Sequence, residues 1–350
     1  MYETFFHLDG TPFQLNPDPQ FYFPSKGHRR AFAYLKYGVY QGDGFIVITG
    51  EIGAGKTTMV RTLLEELDDE KIVAAQLIST QLDADDLLHS VASAFGLPNQ
   101  GLSKADLLAN VEAFLAEVET SGRRALLVVD EAQNLTPRAM EELRMLSNFQ
   151  RGSRALLQSF LVGQPELRDI LRNPTMTQLR QRIIASYHLG PMDRDETRAY
   201  VLHRLKHVGW KGDPQIEDAV FERLHAVTGG LPRLINAVCH RLFLGACMNE
   251  RHVIGGADLN ETINEMRDEI APEGPLAAAA AGAARGAGPG GAGVVRPFLL
   301  SAVVSRLDRI EKSVTNAVRL LEDITGEEAK RPAAGVKPVR MRFGVRPPGR

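Results

Sequence analysis

Short runs of branched apolar residues alternate with amphipathic stretches through the first half of the chain, and then the short runs stop. Phe45-Ile46-Val47-Ile48-Thr49, the run from Ile72 to Ile78, Ala125-Leu126-Leu127-Val128-Val129 and the run from Ala155 to Val162 are too short for helices. They predict four strands buried on both faces. Between them, apolar positions recur at helical spacing. Ala31, Leu35 and Val39 do so within 28–40, Val60, Leu63, Leu64 and Leu67 after the first strand, and Ala84, Leu87, Leu88, Val91 and Phe95 within 83–95. Apolar positions 107, 108, 111, 114, 115 and 118 add a helix over 105–118. Strands alternating with helices imply an α/β fold, a parallel sheet with helices on both faces and ligands at the carboxyl ends of the strands.

From Asp193 onward the strand pattern is absent. Thr197-Tyr200-Val201-Leu205, Ile216-Val220-Leu224 and Pro232-Leu234-Ile235-Val238-Leu242 mark three helices, and 258–270 reads as a fourth. The expected division is an aromatic, proline-rich segment (1–30) packed on the α/β core, the α/β domain (31–190) and a small all-helical lid (191–270). An Ala/Gly/Pro linker (271–298), a coiled-coil helix (299–326) and a basic tail (327–350) follow. Val303, Leu307, Ile310, Val314, Ala317, Leu321 and Ile324 follow a 4-3 alternation, the seam of a self-associating coil or of one amphipathic helix resting on the body. The tail's Lys330, Arg331, Lys337, Arg340, Arg342, Arg346 and Arg350 fit a solvated segment or a contact with a polyanion.

Composition narrows the classes. In 350 residues, 44% hydrophobic and 24% charged content is that of a globular protein, and a formal net charge of −2 makes no global case for nucleic acid or membrane. Cys239 and Cys247, in no C-x-x-C pair, suit core positions in a reducing cytoplasm. The nine histidines form no ligand-like cluster; His203 and His207 share a helix face without a third ligand nearby. No secretory leader or membrane-spanning run is apparent, so a cytoplasmic location is expected.

The chemistry begins at Gly50-Glu51-Ile52-Gly53-Ala54-Gly55-Lys56-Thr57-Thr58, between a predicted strand and a predicted helix. That is the context a phosphate-binding loop requires. Glycines let backbone N–H groups turn inward around a polyphosphate, and the helix N-terminus adds partial positive charge. Lys56 is expected on the β/γ-phosphates and the Thr57 hydroxyl on Mg²⁺. Asp130-Glu131 ends the third strand, where one acid can hold Mg²⁺ and its neighbour can take a proton from water attacking the γ-phosphate. Gln164, after the fourth strand, could orient that water or be an ordinary loop residue. Arg180 and Arg182, in Gln178-Leu179-Arg180-Gln181-Arg182-Ile183, could reach a neighbouring subunit's nucleotide or simply decorate a helix, with Arg182 slightly preferred. Gly229-Gly230-Leu231-Pro232-Arg233 opens a helix whose Arg233 would face the phosphates. ATP and Mg²⁺ are the expected ligands.

This order of motifs resembles the AAA+ P-loop ATPases, and more narrowly the ExeA/GspA family of secretion-associated ATPases. The likeness rests on Pro12-Phe13 with Asn16-Pro17-Asp18-Pro19, the run from Gly44 to Glu51, Asp130-Glu131-Ala132-Gln133, the run from Leu161 to Leu167, Gln178 to Ile183, and Gly229 to Arg233. Leu15 to Pro19 and Ser79 to Leu88 are similar to the ATPase that accompanies the XrtA exosortase and exopolysaccharide system. The resemblance covers residues 1 to about 270. It implies Lys56, Thr57 and Asp130 as nucleotide and Mg²⁺ ligands, Glu131 as catalytic base and Gln164 as sensor 1, where the family pattern more often has Asn, Ser or Thr. It further implies Arg182 or Arg180 as a finger acting in trans within a homo-oligomer, and Arg233 as sensor 2. Family members that act at the cell wall continue into a transmembrane helix and a peptidoglycan-binding domain; with neither pattern here, an envelope role is expected to run through a protein partner of an inner-membrane export complex. The competing expectation is an ATP-gated DNA scaffold of the transposition or replication-initiation type, supported by the basic tail alone. A small-molecule kinase is disfavoured by the acid beside Asp130 and by the late arginine turn.

Overall fold

The computed structural model describes residues 1–78 and 82–269. Five parallel strands make the central sheet: β1 (Phe45–Gly50), β2 (Ile72–Ile78), β3 (Arg124–Asp130), β4 (Leu157–Gly163) and β5 (Ile183–Leu189), in the spatial order β2-β3-β4-β1-β5. Helices α1 (Lys26–Gln41), α2 (Lys56–Glu66), α3 (Ala84–Ala94), α4 (Lys104–Thr120), α5 (Pro137–Leu146) and α6 (Glu166–Arg172) accompany it. Alternation along a strand decides which residue faces which helix layer. Phe45 and Val47 of β1 join Leu87, Val91, Val111 and Leu115 of α3 and α4 in one core. Ile46 and Ile48 join Leu35, Met59 and Leu63 of α1 and α2 in the other. All six residues of β1 are buried, as a central parallel strand requires.

Register carries the sheet's functional consequence. Ile78 pairs with Asp130, Val129 with Leu161, and Thr49 with Gly163, so Gly50, Asp130 and Gly163 end along one edge.

Four details depart from the sequence reading. The fourth strand begins at Leu157, because Arg154–Ala155 pairs with Gln150–Arg151 in a separate antiparallel hairpin. Strand β5 was not anticipated. It lies at the sheet edge, three of its seven residues are exposed, and no solid apolar run marks it. Strands do not stop at Asp193, since Gln215–Ile216 pairs in parallel with Val253–Ile254. The aromatic segment 1–30, expected on the α/β core, sets most of its buried rings on the helical region instead.

That region contains α7 (Arg194–His207), α8 (Asp218–Thr228), α9 (Pro232–Met248) and α10 (Gly256–Asp268). Asp193 and Glu196 form a capping box that starts α7. Left-handed Gly229 ends α8, and Pro232 opens α9 where no intrahelical N–H is needed. Tyr2, Phe6 and Phe13 meet Phe243 edge-on, with centroids 5.2–6.0 Å away, and Phe23 meets Tyr200 at 5.7 Å. Cys239 and Cys247 are buried in α9. The expected linker, coil and basic tail lie outside the described residues.

Candidate nucleotide-binding site

Strand β1 delivers Gly50 to the sheet edge, and α2 begins at Lys56. Between them Gly53 and Gly55 take φ of +78° and +92°, the left-handed region that a side chain resists. A Cβ on Gly53 would lie 2.4 Å from Cβ of Arg233, so only glycine lets the loop approach α9 this closely. The Arg233 N–H donates to the Gly53 carbonyl at 3.2 Å, joining the first turn of α9 to the loop.

Lys56 is buried, and its Nζ donates to the carbonyls of Gly50 at 2.7 Å and Glu51 at 3.0 Å. Burial pushes its pKa down, opposed by the charges of Glu131, Asp130 and Glu51. The ammonium therefore sits folded onto its own loop, where a polyphosphate would relieve its desolvation. Thr57 Oγ1 donates to Asp130 Oδ2 at 2.8 Å, across 73 residues of sequence. Asp130 is 3% exposed, and burial pushes its carboxyl pKa up against the Thr57 hydrogen bond. A hydroxyl and a carboxylate facing each other at the strand end are hard oxygen donors suited to Mg²⁺, which takes few protein ligands and completes its shell with water and phosphate.

Glu131 stands beside them in the left-handed region, with φ 54° and ψ 39°. A non-glycine residue held there at a strand end is a mark of functional sites. Its Oε2 accepts from Gln164 Nε2 at 3.1 Å, so the expected water-orienting residue does reach the expected base. It also accepts from Gln133 Nε2 at 2.6 Å, a contact that spacing did not announce although Gln133 lies within the quoted Asp-Glu-Ala-Gln run.

The cleft, open to solvent, is lined by Gly53, Gly55, Lys56, Thr57, Thr58, Glu131 and Arg233. Its opposite wall is the N-terminal segment, with Asn16, Pro17, Phe21, Tyr22 and Phe23. His28 at the start of α1 lies beneath the loop, and the sequence reading assigned it nothing. Its Nε2–H donates to the Ala54 carbonyl at 3.0 Å, which leaves Nδ1 to accept from Ser25 Oγ at 2.7 Å. Burial lowers its pKa to about 4, so the ring is neutral near pH 7. Only the Ser25 N-cap was a local signal, since the Ala54 contact spans 26 residues.

Arg180 and Arg182 do not line the cleft of their own chain. Arg182 is half-buried and donates to Ser147 O at 2.7 Å and Ser147 Oγ at 3.0 Å. Arg180 is exposed and makes longer contacts of 3.2 Å to the carbonyls of Leu171 and Arg172.

A family model described as an AAA domain matches residues 39–171, which hold the loop, Asp130-Glu131 and Gln164. General secretion pathway protein A of Aeromonas hydrophila is 38% identical over 288 residues, 81% of this chain and 52% of that protein. Residues 39–171 thus carry an AAA domain, and the chain is similar to secretion proteins of the GspA type. It spans about half the length of that relative. Its fold is similar to that of Cdc6p from Pyrobaculum aerophilum, with a TM-score of 0.55, 18% identity, and coverage of 75% of this chain and 70% of that one. Drosophila ORC bound to DNA gives 0.54 at 16% identity, covering 86% and 78%. The ORC2 protein of Aeropyrum pernix in its ADPNP-ADP complexes gives 0.52 at 16%, covering 69% and 67%. At such identities the likeness concerns the fold. Among the described residues, no helix is long and apolar enough to cross a membrane.

Proposed function

We propose that this AAA protein is an oligomeric, Mg²⁺-dependent ATPase whose hydrolysis cycle switches or remodels a protein partner in an envelope secretion or exopolysaccharide system. The observation that carries the enzymatic part is the 2.8 Å contact of Thr57 Oγ1 with Asp130 Oδ2, with Glu131 adjacent and Lys56 buried behind the loop. Thr57 and Asp130 would hold Mg²⁺, which neutralises phosphate charge when bound. Lys56 would exchange its loop carbonyls for β/γ-phosphate oxygens. Glu131 accepts a proton from the attacking water, whose oxygen bonds to the γ-phosphorus as the bond to the β–γ bridging oxygen breaks and ADP leaves. Gln164 holds Glu131 and orients the water, and Arg233 brings the helical region onto the phosphates as a lid. A finger acts from a neighbouring subunit. Arg180, exposed and held by contacts of 3.2–3.3 Å to Leu171 O, Arg172 O and Thr177 Oγ1, serves that role better than Arg182, whose half-buried guanidinium is committed to Ser147.

The secretion context is supported by the relative's name, and the exopolysaccharide context by the likeness at Leu15–Pro19 and at 79–88. Phosphate release should require Mg²⁺, vanish on chelation and fall about a hundredfold or more in Glu131→Gln, which still binds ATP. Turnover by Glu131→Gln equal to wild type would remove the hydrolytic reading. That trapped variant should also co-purify an inner-membrane export component. Recovery of DNA that dissociates steeply with salt would favour the scaffold alternative instead.

A further inference from the structure

The Gln133 side chain bridges two strand ends. Its Nε2 donates to Glu131 Oε2 at 2.6 Å, and its Oε1 accepts from the Gln164 backbone N–H at 2.9 Å. With both ends engaged, the amide has one workable orientation. Reversing it would set an NH₂ against an N–H and an oxygen against a carboxylate. Gly163 makes the room, because a Cβ there would fall 2.7 Å from Gln133 Oε1. Gln164 Nε2 reaches the same Oε2 of Glu131 at 3.1 Å. Both amides thus meet one carboxylate oxygen, Oε2.

The backbone cooperates with this arrangement. Glu131 is in the left-handed region, from which its side chain lines the cleft beside Lys56 and Thr57. A carboxylate on such a turn keeps one productive direction only if something fixes its remaining torsions. Gln133, two residues on in a 3₁₀ turn (Ala132–Asn134), is placed to do so.

We propose that Gln133 is a positioning residue for Glu131, fixing the carboxylate with Oε1 free for the water and coupling that setting to the end of β4, where Gln164 stands. This rests on Glu131 being the general base. It assigns Gln133 no contact with nucleotide, and it predicts a defect in turnover without one in binding.

The test uses the full chain with Gln133→Ala and the near-isosteric Gln133→Met, which removes the hydrogen bonds while keeping the volume. Each is made alone and in the Glu131→Gln background, and kcat and the ATP dissociation constant are measured separately. Expected for both single variants is a fall in kcat of about tenfold or more, with ATP affinity changed by less than about twofold. In the Glu131→Gln background, Gln133→Met should reduce the residual single-turnover rate no further, because the group it positions is already gone. Wild-type kcat in Gln133→Met would overturn the assignment. So would an ATP affinity that falls in step with kcat, or an equal loss with and without the Glu131 carboxylate. The two readings fail separately. Full turnover by Glu131→Gln removes the base itself, whereas active Gln133 variants beside an inactive Glu131→Gln remove only the positioning role.

Discussion

In the α/β half, β1, β3 and β4 bury apolar side chains almost throughout, Gln158 and Ser159 of β4 apart, and the other polar groups gather where the strands stop. In the helical half, a polar cluster lies inside the packing. Tyr200 OH donates to Asn236 Oδ1 at 2.9 Å, and Arg204, 6% exposed, donates to Tyr200 OH at 3.0 Å and to the Pro12 carbonyl. Asn236 Nδ2 donates to the Gln14 carbonyl at 3.1 Å, and the Arg204 guanidinium lies 4.5 Å from the centre of the Phe21 ring. These groups satisfy a backbone segment that belongs to no sheet or helix, and unpaired buried carbonyls would be costly. The contrast teaches where each half keeps its information. The α/β half keeps its polar groups for ligand, so removing one should disturb chemistry more than folding. The helical half uses its polar groups to hold the N-terminal wall of the cleft, so removing one should disturb structure first.

Lys56→Ala should produce the largest effect, a loss of ATP affinity of about a hundredfold or more, with a melting temperature no lower than wild type because a desolvated ammonium has been removed. Calorimetric titration beside thermal melting checks both parts; a large drop in melting temperature would break the contrast. Next comes the finger. Arg180→Ala should lower turnover by about a hundredfold while leaving stability nearly unchanged, and mixing with Lys56→Ala subunits should restore part of it. Arg182→Ala should instead lose stability of about 1 kcal/mol through Ser147. The reverse pattern would return the role to Arg182.

Arg204→Ala tests the other half. It should cost about 2–3 kcal/mol and expose residues 1–24 to protease, with ATP affinity reduced only as the cleft wall loosens. An unchanged denaturation midpoint would show that the segment is held by its aromatic contacts alone. The smallest effect is a pH dependence. Histidine ordinarily titrates near 6.5, and His28 in the fold is lowered to about 4, so between those limits the unfolded chain binds the extra proton and stability falls as pH falls. His28→Gln should flatten that decline by about 1 kcal/mol near pH 5.5, read by denaturation at several pH values. His203 and His240, also lowered by burial, account for part of what remains. An unaltered slope would mean that His28 is not held neutral beneath the loop.

Much of the α/β half could be read from one dimension because its constraints are local. The loop between Gly50 and Thr57 fixes the phosphate site within a few residues, and a short solid run of branched apolar residues reads as a strand buried on both faces. The expected roles of Asp130, Glu131 and Gln164 came from their places at strand ends, and register then set those ends side by side. Strand β5 escaped notice because an edge strand with alternating exposure has no such run. The two-residue pairing of Gln215–Ile216 with Val253–Ile254 is too short to leave any pattern.

What the sequence determined by itself was the α/β class, the phosphate loop and the acid pair, since each follows from residue type at fixed short spacing. Only the tertiary structure decided that residues 15–23 wall the cleft, that His28 supports Ala54, that Gln133 grips Glu131 and that Arg182 is tied to Ser147. Most of these contacts join residues tens to hundreds of positions apart. A hydrogen bond between such residues depends on how whole elements pack, and periodicity along the chain carries no trace of it.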